Sequence, residues 1–121
     1  MDTPVKPAKY TMVCPQGSTL DVQFTYKINK FPVNLNGYSA RMQVRELHTS
    51  IDTLISLETG GAGYGITLGG KAGTINILIP SAITEGFKAV PHVYDIELIS
   101  PNGSVTRILE GTFNITPEVT R

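Results

Sequence analysis

Apolar and polar residues alternate over several short stretches of this chain, and this period of two is typical of half-buried β-strands. The alternation is clearest over 18–28 and 38–46. The apolar face of the first stretch holds Leu20, Val22, Phe24, Tyr26 and Ile28, and that of the second holds Tyr38, Ala40, Met42 and Val44. Further strands are predicted at 9–14, 31–35, 52–58, 66–68 and 74–79.

Glycine and proline separate these short runs in the manner of tight turns between antiparallel strands. Only 81–85, after Pro80, resembles a helix, with Ser81 as the capping residue of one turn before Gly86. One turn is too short for the crossover that parallel strands need. We therefore predict an all-β fold, an antiparallel β-sandwich, with at most one short helical turn near 81–85.

The last hairpin carries the most specific local signal. Ser100-Pro-Asn-Gly103 suits a type I turn followed by a left-handed glycine, which makes a three-residue loop and pairs Ser100 with Ser104. In this register Glu97 lies opposite Arg107, as a cross-strand ion pair, and Ile96 lies opposite Ile108. Because Ile108 and Phe113 differ in phase, a β-bulge is predicted at Gly111.

The chain length of 121 residues suits one domain, which we place at 9–121 behind a flexible, proline-bearing arm at 1–8. Ten basic and ten acidic residues balance, so no electrostatic footprint for nucleic acid is predicted. The first residues lack the apolar core of a signal peptide, and no apolar run approaches the ~20 residues of a membrane helix. Synthesis in a cytoplasm without membrane association is the expectation. The single cysteine, Cys14, is predicted to be a buried or partly buried thiol.

The stretch 65–74, GITLGGKAGT, matches most of a phosphate-binding P-loop. A P-loop needs a hydroxyl residue after its lysine and a helix behind it. Here Ala72 follows Lys71, and the β-branched run 74–79 follows the glycines. We therefore interpret the segment as a hairpin turn between two strands and predict no nucleotide binding.

The remaining candidates for chemistry point to no reaction. His48 and His92 lack a nearby nucleophile pattern and are predicted to lie at the surface or at a strand edge. Asp95 and Glu97 share one strand face, as paired carboxylates of a glycosidase could, but this face is opposite to Tyr94 and is predicted to meet solvent. We predict no catalytic, cofactor-binding or metal-ligating residue and therefore no enzyme.

Three stretches together resemble a phage protein family: VNLNGYSARMQVRE (33–46), GITLGGKAGTINILIPSAIT (65–84) and VYDIELISPNGSVTRILEGTFNITPEVTR (93–121). They are similar to small virion proteins of tailed phages, akin to the N-terminal immunoglobulin-like module of baseplate upper proteins. A full baseplate upper protein continues from this module into a helical stalk and a receptor-binding region. The likeness extends over roughly residues 16–121.

The resemblance implies an immunoglobulin-like sandwich that binds other virion proteins in a symmetric assembly, as a homo-oligomer in the particle. It implies an adaptor in the tail or baseplate, located in the virion after synthesis in the bacterial host. Two alternatives remain open: a head decoration or neck protein, and a carbohydrate-binding module of an adhesin.

Overall fold

The computed structural model describes residues 6–61 and 63–120. Its strands are β1 Ala8–Lys9, β2 Met12–Pro15, β3 Leu20–Thr25, β4 Lys27–Ile28, β5 Phe31–Pro32, β6 Ser39–Arg45, β7 Ile55–Glu58, β8 Gly65–Leu68, β9 Thr74–Ile79, β10 Pro91–Ile99 and β11 Val105–Thr116. A helix, α1, spans Ser81–Thr84, and a 3₁₀ turn spans Gly70–Ala72. The predicted all-β fold is confirmed, and the strands form a sandwich of packed sheets.

The larger sheet has the order β7-β6-β10-β11, with β1 and β2 both beside β11. Neighbours from β7 to β11 are antiparallel, whereas β1 and β2 run parallel to β11. The predicted strand 9–14 is therefore two strands in one register, interrupted at Tyr10–Thr11. A parallel neighbour needs no crossover helix here, because the two pairing segments come from opposite ends of the chain.

The smaller sheet has the order β3-β9-β8, and β4 and β5 form a separate two-stranded hairpin. An isolated parallel bridge between Thr59 and Ile66 connects the two sheets along one side of the sandwich. The inward faces of both sheets make one apolar core. Its most deeply buried large side chains include Phe113, Met12, Leu35, Met42, Ile75, Ile77, Ile79, Ile96 and Leu98.

The predicted strand 18–28 ends earlier than expected, at Thr25. The chain then turns through Asn29 and Lys30, both at positive φ (52° and 73°), so that β4 and β5 pair as a tight hairpin. Ile28 consequently leaves the apolar face to which its spacing assigned it and is 49% exposed. Two further predicted strands are also shorter: β5 ends at Pro32, and β7 begins only at Ile55.

The hairpin between β10 and β11 has the predicted three-residue loop. The Ser100 N–H donates to the Ser104 carbonyl (2.9 Å), the Gly103 N–H donates to the Ser100 carbonyl (2.9 Å), and Glu97 lies opposite Arg107. The predicted bulge position is wrong, because the register shifts between Ile96 and Glu97.

Ile96 therefore lies opposite Leu109, and Ile108 is the extra residue of the bulge. Both Ile108 and Leu109 are buried, so the inward-facing positions of β11 shift by one residue at the bulge. Phe113 therefore faces the core. Position 111 requires glycine because a Cβ there would collide with the backbone carbonyl of Tyr10, and not because of a bulge.

The short helix lies where it was predicted, but its cap differs. The N-cap residue is Pro80, and no side chain caps the helix, so the capping role assigned to Ser81 is wrong. The Thr84 hydroxyl instead donates to the Ser18 carbonyl (2.7 Å) and fixes the helix to the turn before β3. The 3₁₀ turn at Gly70–Ala72 was not anticipated.

Candidate functional site

The P-loop-like segment is a hairpin connection, as interpreted from the sequence: β8 leads to the 3₁₀ turn, and strand β9 follows. Three of the backbone donors of this turn are already engaged. The N–H groups of Gly69, Ala72 and Gly73 donate to the carbonyls of Thr74, Gly69 and Gly70 at 2.8, 3.3 and 3.1 Å. A phosphate would need such N–H groups to be free and convergent.

The same turn is packed into the rest of the fold. Its Gly73 and Gly70 carbonyls accept hydrogen bonds from the N–H groups of Tyr26 (2.8 Å) and Leu35 (2.9 Å). Gly73 has φ 71°, and a Cβ there would contact backbone atoms of Tyr26 and Val33. The glycines therefore allow close packing of backbone segments, a structural requirement rather than one for a ligand.

The two carboxylates of β10 lie on the outer face of the larger sheet, opposite to the buried Tyr94, Ile96 and Leu98, as predicted. This face meets solvent as predicted, although both residues are partly buried: the side chain of Asp95 is 40% exposed and that of Glu97 is 25% exposed. Glu97 accepts a hydrogen bond from Arg41 Nε (2.7 Å), and Asp95 lies 3.4 Å from Arg107 Nε. Burial raises the pKa of Asp95, and the positive charge of Arg107 opposes this shift.

Glu97 and Arg107 lie opposite each other in the strand register, as predicted, but the predicted ion pair between them is wrong, because each pairs with another residue. Arg107 instead lies between Asp95 and Glu110, whose Oε1 is 3.4 Å away. Glu110 also pairs with Lys9 of β1, and the hydrogen bond from Lys9 is the main cause that lowers the pKa of the Glu110 carboxyl. These pairs connect three neighbouring strands across an open sheet face.

A small polar depression of about 150 Å³ lies within this charged face, lined by Gln43, Arg45, His48, Asp95, Arg107 and Glu110. Arg45 is held by the loop after β6, because its Nη1 donates to the Ser50 and Ile51 carbonyls (2.9 and 2.6 Å). Glycosidase chemistry needs two carboxylates directed at a bond in a cleft. Here Asp95 and Glu97 are each engaged by an arginine on a sheet surface.

The two histidines lie in different environments. His48 is exposed in the loop after β6, as expected. The surface position predicted for His92 is wrong, because His92 is buried and its Nδ1 lies 2.9 Å from the Val90 carbonyl. The alternation of β10 could have revealed this, since His92 shares its phase with Tyr94 and Ile96.

Cys14 is fully buried on the inner face of β2, as predicted, and burial raises the pKa of its thiol to about 11. A thiol with so high a pKa is a poor nucleophile at neutral pH. Among residues 6–61 and 63–120, no group of three or more His, Cys, Asp or Glu side chains is arranged to hold a metal ion.

The sequence patterns missed an exposed apolar feature, the tip of the β4–β5 hairpin. Phe31 is 73% exposed there, next to Ile28. Beside the tip lies an open groove of about 550 Å³, which we call the tip groove, between this hairpin and the Ser100–Ser104 loop. Its lining includes Tyr26, Ile28, Val33, Tyr38, Leu98 and Pro101. Asn29 was the available signal, because asparagine tolerates positive φ in tight hairpin turns.

A second groove, of about 470 Å³, lies beside the glycine-rich loop before β8 and combines aromatic and polar side chains. We call it the tyrosine groove; its lining includes Tyr38, Tyr64, Thr59, Thr67 and Asn76. Tyr64 is 38% exposed, so that its ring is accessible from solvent.

A scan against protein-family models found no match, and no curated protein matches the chain. No helix within the described part of the chain is both long and apolar enough to span a bilayer. The fold and its surface thus define an all-β sandwich with a charged sheet face and an apolar hairpin tip.

Proposed function

We propose that this chain is a non-enzymatic virion structural protein of a tailed phage, which acts as an adaptor in the tail or baseplate assembly. The observation that carries this proposal is the apolar β4–β5 tip, where Phe31 and Ile28 lie exposed beside the tip groove. Exposed aromatic side chains next to a pocket are typical anchors of protein interfaces.

The resemblance of 33–46, 65–84 and 93–121 to virion modules supplies the class of partner, namely other virion proteins in a symmetric assembly. The engaged carboxylates of β10 and the buried Cys14 agree with a role in binding rather than in catalysis. The apolar tip would then be the part of the adaptor that the neighbouring virion protein covers.

Particles induced from the strain that encodes the chain provide the test. Mass spectrometry of density-purified particles should detect the chain at a fixed ratio to the major tail protein. Phe31→Ser should lower this ratio without unfolding the protein. The matched control is Val13→Ser, which changes an exposed valine of β2 far from the tip.

Absence of the chain from purified particles, while it is abundant in the lysate, would overturn the proposal. Equal incorporation of the Phe31→Ser and wild-type chains would show that the tip is not the contact. Gold labelling of the C-terminus would distinguish the tail or baseplate from a head decoration or neck position.

The tyrosine groove favours a second candidate, a carbohydrate-binding adhesin module. Tyrosine rings beside hydroxyl and amide side chains combine an apolar face with a few hydrogen-bonding groups, as small-molecule sites do. A glycan array would test this function. Binding that is lost in Tyr64→Ala and kept in Tyr10→Ala would support it, and an array without signal would exclude the tested glycans.

A further inference from the structure

The two ends of the sandwich carry opposite charge. The loops at one end, 26–38, 69–73 and 100–104, contain the exposed lysines Lys27, Lys30 and Lys71 and no acidic residue. We call this the lysine end. Lys6 lines the same cleft as Lys27 and adds to the positive charge there.

The loops at the other end are mostly acidic. Segments 16–18, 46–54, 80–91 and 117–120 contain Glu46, Asp52, Glu85 and Glu118. The positive charges at this end are Lys88 and Arg45, whose guanidinium reaches the loop carbonyls of Ser50 and Ile51. We call this the acidic end. Glu46, Asp52 and Glu85 are exposed, and His48 is the remaining titratable side chain of these segments.

The strand registers place these two sets of loops at opposite ends. Ser39↔Ile99 and Thr25↔Thr74 are the last residue pairs of their strand ladders, and they lie next to the lysine end. Arg45↔Val93 and Leu20↔Ile79 are the last pairs at the opposite end of the same ladders, next to the acidic end. The charges are therefore separated by the full length of the strands.

Each end also exposes large apolar side chains. The lysine end has Phe31 and Ile28 at the β4–β5 tip. The acidic end has Ile51, 93% exposed, and Leu47, 62% exposed, in the loop after β6. Each end thus combines an apolar centre with a charged surround, which is the usual composition of a protein interface.

The end charges are not neutralised within the described part of the chain. No ion pair there involves Lys27, Lys30, Glu46 or Asp52, because the ion pairs lie on the outer face of the larger sheet. The whole chain has no net charge, so two copies do not repel each other overall. Oppositely charged surfaces attract and orient each other.

We propose that copies of this chain bind each other head to tail, with the lysine end of one against the acidic end of the next. Contact between two like ends would bring like charges together and is disfavoured. A head-to-tail contact is heterologous, so it builds rings when its rotation closes and filaments when it does not. In the virion, the neighbour that covers the apolar tip would then be another copy of this chain. The association itself concerns the purified chain alone and does not depend on the virion role.

Sedimentation velocity of the purified chain tests this association. We expect a concentration-dependent increase of the sedimentation coefficient at about 20 mM salt that is largely lost at about 500 mM, because salt screens exposed charges. Lys27→Glu/Lys30→Glu/Lys71→Glu reverses the charge of the lysine end, and Glu46→Lys/Asp52→Lys reverses that of the acidic end. Each of these variants has two like-charged ends and should remain monomeric.

An equimolar mixture of the two variants should associate again, because each end then meets an end of opposite charge. This recovery distinguishes the proposed contact from damage to folding, and thermal melts of each variant provide the direct control. A wild-type chain that stays monomeric at low salt would overturn the proposal. Association of either variant alone at the wild-type level, or a mixture that stays monomeric, would also overturn it.

Discussion

The buried hydroxyl of Tyr94 ties the N-terminal segment to the sandwich, and its removal is our first prediction. Tyr94 lies on the inner face of β10, and its hydroxyl donates a 2.7 Å hydrogen bond to the carbonyl of Tyr10. Tyr10 lies between β1 and β2, where the strand pairing with β11 is interrupted. The Tyr10 N–H donates to the Glu110 carbonyl of β11, and the Tyr94 hydroxyl engages the carbonyl of the same residue, so both polar backbone groups of Tyr10 are bonded to the larger sheet.

Tyr94→Phe removes this hydroxyl and keeps the ring, including its edge-on contact with Phe113 at 6.4 Å between centroids. Loss of one hydrogen bond, with the Tyr10 carbonyl left without its partner, costs about 1–2 kcal/mol. For a domain of this size, such a loss lowers the Tm by about 4–8 °C.

The variant should also respond differently to alkaline pH. Burial, and secondarily the charge of Tyr10, raises the pKa of Tyr94 above its usual value. A raised tyrosine pKa means that the folded state retains the proton that the unfolded state releases above about pH 10. The wild-type protein therefore loses stability as the pH rises above that value, and Tyr94→Phe should lose less.

Urea unfolding at pH 7 and in the alkaline range measures both effects. Tyr38→Phe is the matched control, because the Tyr38 hydroxyl has no hydrogen bond to another described residue, and its cost should stay within about 0.5 kcal/mol. Hydrogen exchange gives a local measurement, since the Tyr10 N–H donates to the Glu110 carbonyl and should lose protection. Equal stability of the two variants at pH 7, with unchanged exchange at Tyr10, would refute the reasoning.

Three further predictions follow from single residues. Gly111→Ala should cost about 1–3 kcal/mol in chemical denaturation, because its Cβ would displace the Tyr10 backbone; a cost no larger than that of Gly86→Ala, where the nearest atom to a Cβ is 3.6 Å away, would contradict this. Between pH 8 and 11, the wild-type protein should lose about 2 kcal/mol more stability than the Cys14→Ala variant, because the folded thiol keeps a proton that the unfolded thiol releases. Parallel pH profiles of the two proteins would refute this prediction. Calorimetry with ATP and magnesium should detect no binding, and micromolar binding that Lys71→Ala abolishes would overturn the hairpin interpretation.

Local sequence alone determined much of the sheet structure. The alternation over 38–46 predicted β6 and its inward residues because a strand with one buried face must repeat every second residue. Ser100-Pro-Asn-Gly103 predicted the loop and the opposition of Glu97 and Arg107, because the backbone preferences of proline and glycine act within a few residues. The β-branched run 74–79 excluded a helix for the same local reason.

Tertiary structure decided the features that depend on residues distant in sequence. The bulge lies at Ile108 because both Ile108 and Leu109 find room in the core, whereas Gly111 accommodates the backbone of Tyr10. Arg107 pairs with Asp95 and Glu110 because the side chains on the sheet face, rather than strand register alone, select the partners.

The surfaces proposed for binding belong to this second group. Phe31 and Ile28 are exposed because the chain leaves β3 after Thr25 and turns back at Asn29. The lysine and acidic ends arise from loops that are scattered along the sequence and meet only when the strands pair. Composition shows a chain of zero net charge, whereas the fold separates that charge into two opposite ends, because strand direction assigns each loop to one end of the sandwich.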